Sequence, residues 1–110
     1  MVYLVVEQWY PPNKSSEVGK FGLEAIKKYP EDKSVGKMLV DAAVFTDKDG
    51  FIHILSIAQS KPGKVKETMD LASNRCIMIA KAVEGYRYHM HSAYEMVEAL
   101  QIIGLQPPAP

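Results

Sequence analysis

The 110-residue chain predicts an α+β fold: a four-stranded antiparallel sheet in spatial order 4-1-3-2, two long helices on one of its faces, and a third helix at the C-terminal end. Three observations carry this reading. Extended and helical segments alternate in the order β-α-β-β-α-β, followed by α. The two helical segments each show one apolar stripe. Between the second and third strands stands a turn, Asp47-Lys48-Asp49-Gly50, whose chemistry is that of a hairpin. Right-handed crossovers then place both long helices on the same side of the sheet.

The elements follow in order. Residues 2–9 (VYLVVEQW) are β-branched and aromatic and stop at Pro11-Pro12, which reads as a buried strand. Asn13, Ser15 and Ser16 offer N-cap oxygens and Glu17 suits a first turn. Val18, Phe21, Gly22, Ala25, Ile26 and Tyr29 then recur on one helical face, and Pro30 ends the helix. Residues 37–46 and 51–60 are two extended runs. Asp at the first turn position and Gly at the last predict a type I turn with a G1 bulge between them. A second stripe, Val65, Met69, Ala72, Cys76, Ile79, Ala80 and Val83, predicts a long helix from about Lys64 to Val83. Leu71, Ile77 and Met78 lie off that stripe and predict contact on a second side. Residues 86–91 (YRYHMH) read as a short fourth strand. Ser92-Ala93-Tyr94-Glu95 is a capping-box pattern that would open the third helix, which runs through Ile103 with Gly104 as its C′ residue.

Composition narrows the function classes. Apolar residues make up 47% and charged residues 24%, which places the chain among folded globular domains. Residues 1–105 are expected to form one domain, and 106–110 a Pro-rich tail. Thirteen basic residues balance thirteen acidic ones, so no net charge draws the chain to nucleic acid or to an anionic membrane, and neither is expected as a partner. The single cysteine, Cys76, excludes an internal disulfide and multi-cysteine zinc, and fits a reducing, cytoplasmic compartment. The opening MVYLVVEQWY reads as neither a signal peptide nor a membrane span.

The strands are apolar on both sides. A G1-bulge hairpin sets Phe45 across from His53, Ala43 from Leu55 and Asp41 from Ile57. One face then carries Met38, Val40, Ala42, Val44, Ile52, Ile54, Ser56 and Ala58, small and aliphatic, suited to two helices. The other carries Leu39, Asp41, Ala43, Phe45, Phe51, His53, Leu55, Ile57 and Gln59, joined from strand 1 by Tyr3, Val5, Glu7 and Trp9. Helices can cover only one face. An apolar patch of the remaining size exceeds what soluble monomers tolerate, and a two-fold axis matches such a patch to itself. A homodimer is therefore expected, with higher assembly open.

Here the chain resembles the dimeric α+β barrel superfamily, in which two ferredoxin-like subunits pack sheet against sheet around a central cavity. The resemblance covers about residues 1–91 and rests on element order and two-sided strands. It implies a cavity site but selects no chemistry, since the fold hosts cofactor-independent monooxygenases, isomerases, haem-related proteins and self-assembling stress proteins alike.

Polar residues on the apolar inner face are the candidates for function, since burying them costs free energy unless they are paired. Centring the strands puts Glu7 near His53 on one side and Arg87 on the other. A carboxylate beside a histidine can orient it for general base or acid work, and an arginine can hold an anion. Glu7 and His53 are the catalytic candidates. Arg87, His89, Tyr3, Trp9, Asp41 and Phe45 are the binding candidates. A purely structural Glu–His–Arg network would use the same residues. Strand 4 presents inward either Arg87, His89 and His91 or Tyr86, Tyr88 and Met90. The tyrosines and Met90 suit packing under helices, which favours the first. His89-x-His91 is at most half of a metal site, and no metal or cofactor is expected. Lys61-Pro62-Gly63-Lys64 lacks the glycines and the Ser/Thr of a phosphate loop. Cys76 reads as core. The expected function is small-ligand binding in the barrel cavity, with cofactor-free proton transfer or oxidation. The alternatives are a self-assembling structural or stress protein, or metal or haem handling through the histidines.

Overall fold

A computed structural model describes residues 2–106. The elements are β1 (Val2–Tyr10), a 3₁₀ turn (Pro12–Lys14), α1 (Ser15–Lys28), β2 (Gly36–Thr46), β3 (Ile52–Ser60), α2 (Val65–Ala82), β4 (Arg87–Tyr94) and α3 (Met96–Ile102). The strands form one antiparallel sheet in the order β2-β3-β1-β4, which is the ferredoxin-like order read from the other edge. No helix among the described residues is long and apolar enough to cross a membrane. The Pro-rich tail from Pro107 onward lies outside the described residues.

The β2–β3 turn forms as its residues dictate. The Gly50 N–H donates to the Asp47 carbonyl at 3.1 Å, and the Asp47 carboxylate accepts from the Asp49 and Phe51 N–H groups. Gly50 takes φ +83°, the left-handed position that a G1 bulge requires.

Helix starts depart from the sequence reading. Pro12 begins a 3₁₀ turn, and the Ser15 hydroxyl donates to the Pro12 carbonyl at 2.7 Å instead of accepting from a helix N–H. The fourth strand also runs on past His91. Ser92 pairs with Leu4, and the capping box moves three residues along, with Glu95 as N-cap and Glu98 at N3. Pairing with β1 satisfies more backbone than an early helix start would, and so extends the strand to Tyr94. Gly104 closes α3 at φ +77°.

The core lies between the sheet and the helices. Leu4, Val6 and Ala58 pack on Cys76, while Tyr10, Val18, Ile79, Val83 and Tyr86 form a second cluster. Of the off-stripe residues of α2, Ile77 and Met78 border a recess with Phe21 and Tyr29, Ile77 staying exposed, and Leu71 borders the space between the helices and the sheet.

β2 holds the main correction. It spans 11 residues opposite the 9 of β3, and the two surplus residues appear as register shifts between Met38 and Val40 and between Val40 and Ala43. Val40 therefore stands across from Ile57, where strict alternation put Asp41. At the start of β2, a Cβ on Gly36 would lie 2.6 Å from the Gln59 carbonyl oxygen, a backbone atom that cannot swing aside. Gly36→Ala is expected to lower stability by about 2 kcal/mol, read as a drop in the urea midpoint with an unchanged slope.

Candidate functional site

The register arranges the sheet face opposite α1 and α2 in rows of four, one residue per strand in the order β2, β3, β1, β4. The first row is Phe45, His53, Trp9 and Arg87. The second is Ala43, Leu55, Glu7 and His89. The third is Val40, Ile57, Val5 and His91, and the fourth Lys37, Gln59, Tyr3 and Ala93. Strand 4 thus turns Arg87, His89 and His91 to this face, and Met90 packs under α2 as its apolar side chain favours.

At one end of this face a compact cluster forms. The Glu7 carboxylate reaches diagonally to His53, Oε2 to Nε2, at 2.9 Å. A carboxylate only accepts, so Nε2 is the donor of this bond. The imidazole stands between two aromatic rings supplied by the neighbouring strands. Trp9 stacks on it with centroids 4.7 Å apart, and Phe45 lies tilted at 4.4 Å. These rings fix the plane of the imidazole, and the carboxylate fixes its rotation. Both polar side chains are largely withdrawn from water, at 15% exposure for His53 and 25% for Glu7. The outcome is a positioned histidine on a wall of aromatic and aliphatic side chains.

Of the sequence-predicted residues, Glu7, His53, Trp9 and Phe45 come together. His89 stands across from Glu7 on the next strand, with its ring 5.3 Å from that of His91. Arg87 and His53 share a row as expected, but Trp9 stands between them and Glu7 is one row along. Arg87 pairs with Trp9, and its guanidinium sits 5.2 Å above the Phe51 ring. Phe51 is thus a member of the cluster that sequence reasoning did not single out, although its place beside the hairpin turn on the same face was legible. Tyr3 shares the face but stands six residues along β1 from Trp9, roughly 20 Å at ~3.3 Å per residue, and does not join the cluster. Asp41 is a correction. The bulges turn it away from this face: it is exposed, borders the space under the helices, and its carbonyl accepts from the Ser56 hydroxyl at 2.7 Å. Among the described residues no group of three or more His, Cys, Asp or Glu side chains could hold a metal ion.

On the helix side, burial raises the Cys76 thiol above its ordinary range, which makes it a poor nucleophile. Tyr86 donates its hydroxyl to Gln8 Oε1 at 2.6 Å. Burial, and next the nearby Cys76, push its ionisation far above the ordinary tyrosine value. The folded chain thus holds this proton more tightly than the unfolded chain. The stabilisation is complete below the unfolded pKa of about 10 and falls away as pH rises above it. Tyr86→Phe is expected to cost about 1–2 kcal/mol at neutral pH, by leaving Gln8 unpaired, and to flatten this alkaline loss. Urea unfolding at pH 7 and at about pH 10.5 reads both effects.

No protein-family model matches the chain, and no curated protein matches its sequence. Solved structures do match in fold. The de novo designed protein Foldit4 is similar over 86% of this chain and 96% of its own, with 13% identity and a TM-score of 0.52. A conserved protein from Methanosarcina mazei Go1 is similar over 83% and 91%, with 11% identity and a TM-score of 0.48. A formyltetrahydrofolate deformylase from Pseudomonas putida KT2440 aligns with 83% of this chain but only 28% of its own, at 10% identity and a TM-score of 0.42. At these identities the likeness concerns architecture alone: the chain has a small α+β sandwich fold of the ferredoxin-like kind.

Proposed function

We propose that this chain is a small-ligand protein of the dimeric α+β barrel type, and that it carries out cofactor-independent proton transfer at His53. The observation that carries the reading is the Glu7–His53 pair, held between Trp9 and Phe45 on the sheet face opposite α1 and α2. Phe45 is 45% exposed there, beside Leu55, Ile57 and Val5. Such a surface is stabilised by removal from water, and a second copy supplies the matching patch. Two facing sheets would enclose the histidine in an apolar chamber, where its Nδ1 serves as general base and Glu7 stabilises the imidazolium that forms. Arg87 and His89 line the β4 side and suit a ligand with an anionic group.

The test needs no known substrate. Small carbonyl carbon acids in deuterated buffer are followed by NMR for exchange of the α-proton. The purified protein is expected to accelerate exchange of at least one of them, and His53→Ala to reduce that rate about 100-fold or more. Glu7→Gln should act in the same direction. Equal rates for the parent chain and both variants would refute the assignment.

A second reading rests on α3. Met96, Val97, Ile102 and Ile103 are all exposed, with Ile103 at 67%. These residues favour assembly beyond the dimer. Light scattering separates the readings: a ring or cage whose chamber is closed to small ligands supports assembly as the purpose of the fold.

A further inference from the structure

We infer that His89 and His91, side by side on the edge strand β4, form a two-imidazole site for a divalent transition ion, with zinc the ion whose geometry fits. The two residues are i and i+2 on one strand, so their side chains leave the same face of it. Their rings stand 5.3 Å apart, centroid to centroid. Zinc binds an imidazole nitrogen at about 2.0–2.1 Å, and the ring centre lies about 1.2 Å behind that nitrogen, so two imidazoles at the tetrahedral angle hold their centroids about 5.3 Å apart. The right angle of a square-planar ion would bring them to about 4.6 Å. The rings thus stand at the spacing that one tetrahedral ion requires. Side-chain rotation then aims a nitrogen of each ring at the ion without moving the strand.

The surroundings leave both rings available. β4 is the last strand of the sheet and both histidines are exposed, so an ion reaches them from solvent with its waters. Among the described residues neither imidazole is engaged in a hydrogen bond or ion pair, whereas His53 is held by Glu7. The nearby charges oppose one another. Glu7 stands across from His89 and supplies a carboxylate, while Arg87, two residues along the same face, carries a positive charge that is drawn over the Phe51 ring. No third His, Cys, Asp or Glu joins the pair among the described residues, so the remaining positions fall to water. Structural zinc is closed by four protein ligands, so two ligands and exchangeable waters make a reversible site. Imidazole also selects the ion: nitrogen suits zinc, copper and nickel, whereas magnesium and calcium take oxygen.

The site goes beyond the proton transfer proposed at His53, and either can fail alone. Calorimetric titration of the purified chain with zinc chloride at about pH 7.5, where an ordinary histidine is neutral, tests it, with magnesium chloride as the comparison. One zinc ion per chain is expected to bind, and magnesium at the same concentration is not. His89→Gln and His91→Gln, both at exposed positions, should each weaken zinc binding about tenfold or more, because one of two coordinate bonds is lost. The chain has three histidines, so His53→Ala tells the sites apart: this variant is expected to bind zinc as the parent chain does. In the unmodified chain the imidazole NMR signals of His89 and His91 should shift together as zinc is added. No zinc binding up to about 1 mM, an equal response to magnesium, undiminished binding in the folded β4 variants, or loss of binding in folded His53→Ala would overturn the inference.

Discussion

Ile57→Asp is expected to weaken self-association about a thousandfold, leaving a folded single chain at concentrations where the parent chain is paired. Ile57 stands in the third row of the face opposite α1 and α2, across from Val5 and Val40. It is partly exposed, so a carboxylate there remains reachable by water in the isolated chain. In the proposed pair the same carboxylate would be taken into an apolar interface close to its symmetry mate. An uncompensated buried charge costs several kcal/mol, and about 4 kcal/mol is a thousandfold in dissociation constant. Size-exclusion chromatography with light scattering at a few loading concentrations reads the result. Circular dichroism of the same samples shows whether the fold is kept. Unchanged mass would mean that this face is not where chains meet.

Leu4→Ala is expected to produce the largest loss of stability, about 3 kcal/mol. Leu4 is 1% exposed at the centre of the sheet, packed with Val6, Ala58 and Cys76 under α2. Truncation removes its buried methyl groups and enlarges a space that the surroundings already fail to fill, so collapse cannot recover the loss. For a domain of this size the thermal midpoint should fall by about 15 °C. A loss below about 1 kcal/mol would show that α2 does not press on this part of the sheet.

The architecture was legible because several independent signals agreed. The Asp47–Gly50 turn set the hairpin, the helical stripes marked α1 and α2, and topology rules ordered the strands. The Glu7–His53 pair was legible for the same reason: once the hairpin and strand direction are known, only a few residues can face His53 from β1. Asp41 failed because alternation is informative only when one face is polar. β2 is apolar on both sides, so two surplus residues left no break in the pattern, and a one-residue shift exchanges faces without any visible mark. Glu7 stands one row away from both His53 and Arg87, since centring strands does not fix their register, and its carboxylate reaches His53 only on the diagonal. The start of α3 was misplaced because Ser92 carries a capping signal that strand pairing with Leu4 overrides.

The proposed chamber requires two chains to pair through the sheet face that carries Glu7 and His53. Sedimentation equilibrium of the unmodified chain at low micromolar concentration tests this directly. The mass predicted is twice that of one chain, falling toward the single-chain value only on strong dilution. A stable species of one chain's mass throughout the range would contradict the enclosed chamber and, with it, the proton-transfer chemistry assigned to His53.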